Sequence, residues 1–305
     1  MLTNTLPDVT SNSNPENPSS LQWVGMEGLA VPISIKLQDE KLQTVAAKAD
    51  VYVNLEEANA KGIHMSRLHG MINKLSELEC NKYTFERLLD EIIYSQSGIS
   101  SEAKIKLVFE VLLNKEALVS DESGYQIYPV SISALKKKDS GINFEFEMTI
   151  PYSSTCPCSA SLARQLYADA VDKIFPDEKI DKAALISWIE SEAGSVATPH
   201  SQRSYAYVRL DIGNNDWPEF PQLIFMLESA IGTPVQTVVK RSDEQEFARL
   251  NANNLMFCED AARRLKKHLE LTQFVKHYCF KIDHRESLHA HNAIVIDSAF
   301  GSVRC

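Results

Sequence analysis

The sequence has no excess of basic residues. Its 31 Lys and Arg stand against 41 Asp and Glu, a formal net charge of −10. That balance leaves nothing to neutralise a phosphate backbone or an anionic membrane surface, so nucleic acid and membrane are not expected partners. One phosphorylated small molecule in a local basic pocket stays compatible with it. Long apolar runs are also missing, and neither a membrane span nor a secretory signal is expected. Cysteine is sparse: of six, Cys80, Cys258, Cys279 and Cys305 have no close thiol neighbour in sequence. Scattered thiols fit a reducing compartment, and a cytoplasmic location is expected.

What is present suffices for two ordinary domains, with 305 residues, 44% hydrophobic and 24% charged. Residues 1–20, rich in Asn, Ser, Pro and Thr, read as a disordered tail. Strand patterns follow at Leu29–Lys36 and Ala46–Leu55, then helical patterns at Ser66–Leu78 and Thr84–Ser95. Further strands are expected at Lys106–Leu113 and Ile142–Ile150, where apolar and polar residues alternate. The intervening Ser120–Ser140 reads as an excursion holding a short strand.

This order gives strand, strand, helix, helix, strand, strand over 21–155. A second module is expected over 156–305, with a helical insert at 162–195. It carries helices at Leu162–Phe175, Lys182–Glu192, Pro221–Ile231 and Glu259–Leu271. Its strands are expected at Tyr205–Ile212, Phe274–Ile282 and His291–Ser298, with a short apolar one at Val235–Val239. The class is α+β, antiparallel sheet with helices on one face.

Three polar constellations stand out. In Ser153-Ser-Thr-Cys-Pro-Cys-Ser159, an extended backbone would turn Cys156 and Cys158 to one face, for a metal, a nucleophile or both. A buried apolar role or a redox pair is the plainer alternative, although redox pairs usually have two intervening residues. Thr198-Pro-His-Ser-Gln-Arg-Ser204 gathers groups that suit a phosphate or purine pocket, or simply a polar loop capping a strand. In Asp283-His-Arg-Glu-Ser-Leu-His-Ala-His291, alternation would put His289 and His291 on one side, while His284 reads as solvated. Lys240, Arg241 and the acids after them read as a solvated turn, and Glu259 as a first-turn helix acid.

These segments together resemble the prokaryotic type IB GTP cyclohydrolase I family. Pro151–Ser159, Ala197–Ser204, Lys240-Arg241 with Asp243-Glu244, Phe257–Asp260 and Glu286–His291 occur in that family's order, and Val24-Gly-Met-Glu-Gly28 is similar to its opening. The resemblance runs from about Leu21 to the C-terminus, and the 162–195 insert is similar to the longer-insert members. It implies two tandem T-fold (ββααββ) modules and a homotetramer with sites near subunit boundaries. The implied activity converts GTP to 7,8-dihydroneopterin triphosphate and formate. That reaction opens tetrahydrofolate synthesis and supplies precursor for 7-deazaguanosine tRNA modification.

Carried onto this sequence, the resemblance implies one divalent metal per site (Fe²⁺, Mn²⁺ or Zn²⁺), held by Cys156, His200 and Glu244, and no organic cofactor. It places Cys158 beside the attacked carbon, Glu259 on the guanine edge, and His289 and His291 in proton transfer. Arg203, Ser204, Lys240 and Arg241 become candidates for substrate contact. Two rivals are kept. A T-fold reductase forming a thioimide on a deazapurine with NADPH would need Cys158 but no metal. A non-catalytic zinc-stabilised assembly protein would close its site with four ligands.

Overall fold

The computed structural model describes residues 14–37 and 41–299. Most of the tail expected over 1–20 therefore lies outside the described residues. Eight strands form one antiparallel sheet in chain order: β1 (Leu21–Lys36), β2 (Leu42–Leu55), β3 (Glu102–Glu116), β4 (Ser123–Lys137), β5 (Ile142–Thr155), β6 (Ser201–Gly213), β7 (His277–His284) and β8 (Ala293–Ser298). Between β2 and β3 lie α1 (Met65–Asn73), a 3₁₀ turn and α2 (Lys82–Ser95). The insert between β5 and β6 holds α3 (Pro157–Ile174) and α4 (Lys182–Glu190). After β6 come α5 (Phe220–Ile231), α6 (Arg241–Asn253) and α7 (Cys258–Leu271).

The sheet is two-faced, as period-2 alternation requires. Leu29, Ala49, Leu107, Ile132, Phe146, Leu210 and Tyr278 pair in register across seven strands. All but Leu29 are buried. One residue along, Lys48, Val108, Ser131, Glu147, Arg209 and Cys279 form the row on the opposite face. The helices cover the first row: α2 contributes Phe85, Leu88 and Leu89 to the core, α5 contributes Leu223 and Leu227, and α7 contributes Leu265 and Leu269. In the Val24–Gly28 opening, Gly25 is forced by space, because a Cβ there would stand 1.9 Å from the Val51 carbonyl oxygen.

Two expectations need correction. The Ser120–Ser140 excursion is a full strand, with β4 pairing to β3 along all 15 of its residues. Gly124, Gln126, Pro129, Ser131 and Ser133 dilute its apolar signal. Pro129 is tolerated because the ladder to β5 begins only at Val130. The ββααββ order thus closes with β4, and β5 opens the second run of strands. Val235–Val239 is not a strand, and only Pro234 forms a bridge there, to Tyr152. Its Thr237 and Val238 side chains pack over Gly124, where an added Cβ would meet Val238 at 2.6 Å.

Among the described cysteines, Cys80, Cys156, Cys158 and Cys258 are free and Cys279 is disulfide-bonded. No described helix is long and apolar enough to cross a membrane.

Candidate active site

Strand pairing joins the cysteine motif to the histidine loop. In the β5–β6 ladder, Tyr152 lies opposite Ser204, Ser154 opposite Gln202 and Thr155 opposite Ser201. The pairing continues one step past the strand ends, where the Cys156 N–H donates to the His200 carbonyl at 3.2 Å. The whole α3–α4 insert departs and returns between these two neighbours.

Pro157 sets the local geometry. Its fixed φ suits the first helical position, so α3 starts there and Cys156 becomes the N-cap at φ −67°, ψ 123°. The shared extended face expected for the two cysteines is therefore overturned. Cys156 is half-buried at the cap and Cys158 is exposed on the first turn. Ser159 links cap and loop: its N–H donates to Cys156 Sγ at 3.5 Å, and its Oγ accepts from the His200 N–H at 3.1 Å.

His200 Nδ1 lies 3.1 Å from Gln202 Oε1 and 3.6 Å from Glu286 Oε2. That carboxylate oxygen is buried and has no hydrogen-bond partner. Behind the imidazole, Gln202 Nε2 donates to Ser154 Oγ at 2.8 Å, and Ser154 Oγ is 2.7 Å from Ser204 Oγ. Ser154 and Ser204 are fully buried. Ser204, a candidate for substrate contact, is engaged inside the fold, whereas Arg203 is exposed.

His284 is not solvated. It is 2% exposed, and its Nε2 lies 2.9 Å from the hydroxyl of the fully buried Tyr152. Burial pulls its pKa down to about 4, against the opposing influence of Glu259 and Asp283. Burial also pushes the Tyr152 hydroxyl well above its ordinary value. A signal for this was present in the sequence. Tyr278, Phe280 and Ile282 form the inward series of β7, and His284 is its next member.

Glu259 is exposed at the start of α7, whose first turn is docked by its neighbours. Cys258 Sγ approaches the Ala293 carbonyl at 3.3 Å and the Ile282 carbonyl at 3.8 Å, while the Met256 N–H donates to the Thr155 carbonyl at 3.1 Å. Glu259 thus stands over the ends of β5 and β7, one element from Cys156. His289 and His291 are exposed and stacked, with ring centroids 4.9 Å apart and planes 12° apart. They do share a side, but through bends, since β8 begins only at Ala293.

Lys240, Arg241 and Glu244 lie elsewhere, at the start of α6, a helix the sequence reading missed. The fully buried Asp243 carboxylate accepts from the Val119 N–H (2.8 Å), the Ser120 N–H (2.9 Å), the Ser120 hydroxyl (2.6 Å) and the Lys240 N–H (2.8 Å). This fastens the first turn of α6 to the β3–β4 connection, where Lys240 also pairs with Glu122 at 2.6 Å. The far end of α6 reaches the cysteine strand, as Ser153 Oγ donates to Asn251 Oδ1 at 2.7 Å. Seven helical residues, about 10 Å of rise, separate Glu244 from Asn251.

Among the described residues, no three His, Cys, Asp or Glu side chains gather into a group that could hold a metal. The chain brings Cys156, Cys158, His200 and Glu286 to one rim and leaves Glu244 apart. The donor types at that rim are nevertheless ones that a divalent metal accepts. A thiol and an imidazole are held on adjacent strand ends, and a buried carboxylate oxygen beside the imidazole has no partner.

Comparison with known proteins identifies the family. The chain matches the GCHY-1 family model, described as type I GTP cyclohydrolase folE2, over residues 6–295. It is 51% identical over 297 residues to the GTP cyclohydrolase FolE2 of Hahella chejuensis, covering 97% of this chain and 96% of the relative. It is 53% identical over 294 residues to that of Pseudoalteromonas atlantica, covering 96% of each. Among solved structures it is similar to a hyper-thermostable AgUricase mutant, with TM-score 0.52 and 6% identity over 93% of both chains. That likeness concerns the fold alone and accords with tandem T-fold modules. By the length and identity of these matches, the chain belongs to the type I GTP cyclohydrolase FolE2 family.

Proposed function

We propose that this chain is a metal-dependent GTP cyclohydrolase I of the longer-insert type IB kind. It hydrolyses GTP to 7,8-dihydroneopterin triphosphate and formate, the first step toward tetrahydrofolate and a source of precursor for 7-deazaguanosine. The observation that carries the reading is the bond from the Cys156 N–H to the His200 carbonyl, which unites the two motifs at one rim.

The site residues then divide the work. The Glu259 carboxylate accepts N–H bonds from the guanine edge at the mouth of α7. Cys158, exposed on the first turn of α3, lies beside the carbon under attack. His289 and His291 move protons as the imidazole ring and the ribose open. Arg203, Lys240 and Arg241 meet the triphosphate. Cys156 and His200 hold the metal, and Glu244 completes the set from a second copy of the chain. A bound Zn²⁺, Mn²⁺ or Fe²⁺ supplies Lewis acidity and makes water a better nucleophile near neutral pH.

A homotetramer suits this division. Glu244 is exposed, and α3 and α4 leave Leu162, Leu166, Ile186 and Ile189 uncovered, with no residue of α4 buried within the chain. The two modules divide at the β4–β5 turn, and the enzyme works in the cytoplasm. To test the reading, chelated protein reloaded with Mn²⁺ or Fe²⁺ is given GTP while pterin fluorescence and formate are followed. Both signals rise together if the proposal holds, and their absence with every metal overturns it.

A further inference from the structure

The imidazole of His200 is held by more than the backbone around it. Gln202 Oε1 lies 3.1 Å from His200 Nδ1, while Gln202 Nε2 donates to Ser154 Oγ at 2.8 Å. Ser154 Oγ is in turn 2.7 Å from Ser204 Oγ, and both serines are fully buried. An amide has one accepting end and one donating end. In the orientation observed, its NH₂ end donates to the serine pair and its carbonyl oxygen faces the ring. Glu286 supplies a second acceptor on the same side, its Oε2 3.6 Å from Nδ1 and otherwise without a partner. Two acceptors converging on Nδ1 call for a proton there, which leaves Nε2 as the ring's free lone pair.

We propose that Gln202, backed by the Ser154–Ser204 pair and by Glu286, is a positioning residue that fixes His200 in its Nδ1–H tautomer and presents Nε2 to the metal. The inference rests on the reading of His200 as a ligand. Partners of this kind on a ligating histidine set ring orientation and basicity, and their loss weakens metal binding by about 10- to 100-fold. The parity of the strand supports the assignment. Ser204, two residues after Gln202 on β6, is buried opposite Tyr152, so the chain Gln202–Ser154–Ser204 runs from the rim into the interior of the sheet. Gln202 is therefore anchored to the buried interior of the sheet rather than to the loop that carries His200.

The test is made on whole protein with ¹⁵N-labelled histidine, freed of metal and then titrated with Zn²⁺ against a competing chelator. His200 is assigned by its disappearance in His200→Asn. The metal-free wild type is expected to show His200 protonated at Nδ1. Gln202→Leu is expected to shift it toward the Nε2–H form and weaken zinc binding about 10- to 100-fold. Gln202→Glu, which retains an acceptor, restores the tautomer and most of the affinity. If His200→Asn loses zinc while Gln202→Leu keeps both tautomer and affinity, the inference fails and the ligand reading stands. If His200→Asn binds zinc as tightly as the wild type, the ligand reading itself is overturned, and the inference with it.

Discussion

The amide N–H of Cys156 donates to the carbonyl oxygen of His200 over 3.2 Å, although the entire α3–α4 insert separates them in sequence. Insert length is therefore uncoupled from site geometry. The β5–β6 ladder, not the connection, sets the distance between the thiol and imidazole motifs. Substitutions in the rim should then affect chemistry without unfolding the sheet.

Cys158→Ala and His200→Ala are expected to stay folded, because Cys158 is exposed and the backbone bonds of His200 survive truncation of its ring. Formate release should fall by about 100-fold or more in each, the range for loss of a group acting in the reaction. Circular dichroism together with a formate assay separates the two effects. Parallel loss of signal in both measurements would mean the variants simply unfold.

Glu259→Ala should abolish productive GTP binding and leave the metal content of the purified protein unchanged. Its carboxylate is exposed over the ends of β5 and β7, positioned by Cys258 and Met256 rather than by its own contacts. Metal analysis beside calorimetric GTP binding checks both halves. Loss of metal would move Glu259 among the ligands.

His284 predicts a pH dependence of stability. Its folded pKa, about 4, lies below the ordinary value of 6.5, so the unfolded chain takes up a proton first as the pH falls. Its contribution is fully present above about pH 6.5 and is lost as the pH drops toward 4. Between pH 7 and pH 5 that amounts to about 2 kcal/mol. Urea unfolding at both values should show this difference, and His284→Gln should remove it. Tyr152→Phe, which strips the ring of its 2.9 Å partner, should cost about 1–3 kcal/mol at pH 7.

Asp243→Asn should lower the melting temperature and loosen the β3–β4 connection. The buried carboxylate accepts four hydrogen bonds there, and an amide would turn an N–H toward at least one donor. Amide exchange at Val119 and Ser120 reports the loosening directly. Unchanged protection at both would show that the carboxylate does not fasten the connection.

Alternation made most of the sheet legible in the sequence, as in Ile142–Ile150, where every second residue is buried. It failed where side chains had other tasks. β4 carries Gly124 under Val238 and a proline at a ladder gap, so its pattern is broken although its pairing is complete. α6 was invisible because its charged residues (Arg241, Glu244, Glu246, Arg249) outweigh the one residue it buries, Asp243. The cysteine, histidine and glutamate motifs were all recognisable in the sequence, but their grouping was not. Pro157 converts an expected strand into a helix cap, and the separation of Glu244 from His200 depends on where α6 docks.

In the proposed reaction, the rim built on Cys156 and His200 hydrolyses the guanine imidazole ring at C8. Metal-loaded protein given GTP labelled with ¹³C at C8 tests it by NMR. Label appearing in free formate, in step with pterin fluorescence, is the expected result. Label retained in the nucleotide, or in any reduced product formed with NADPH, would contradict it.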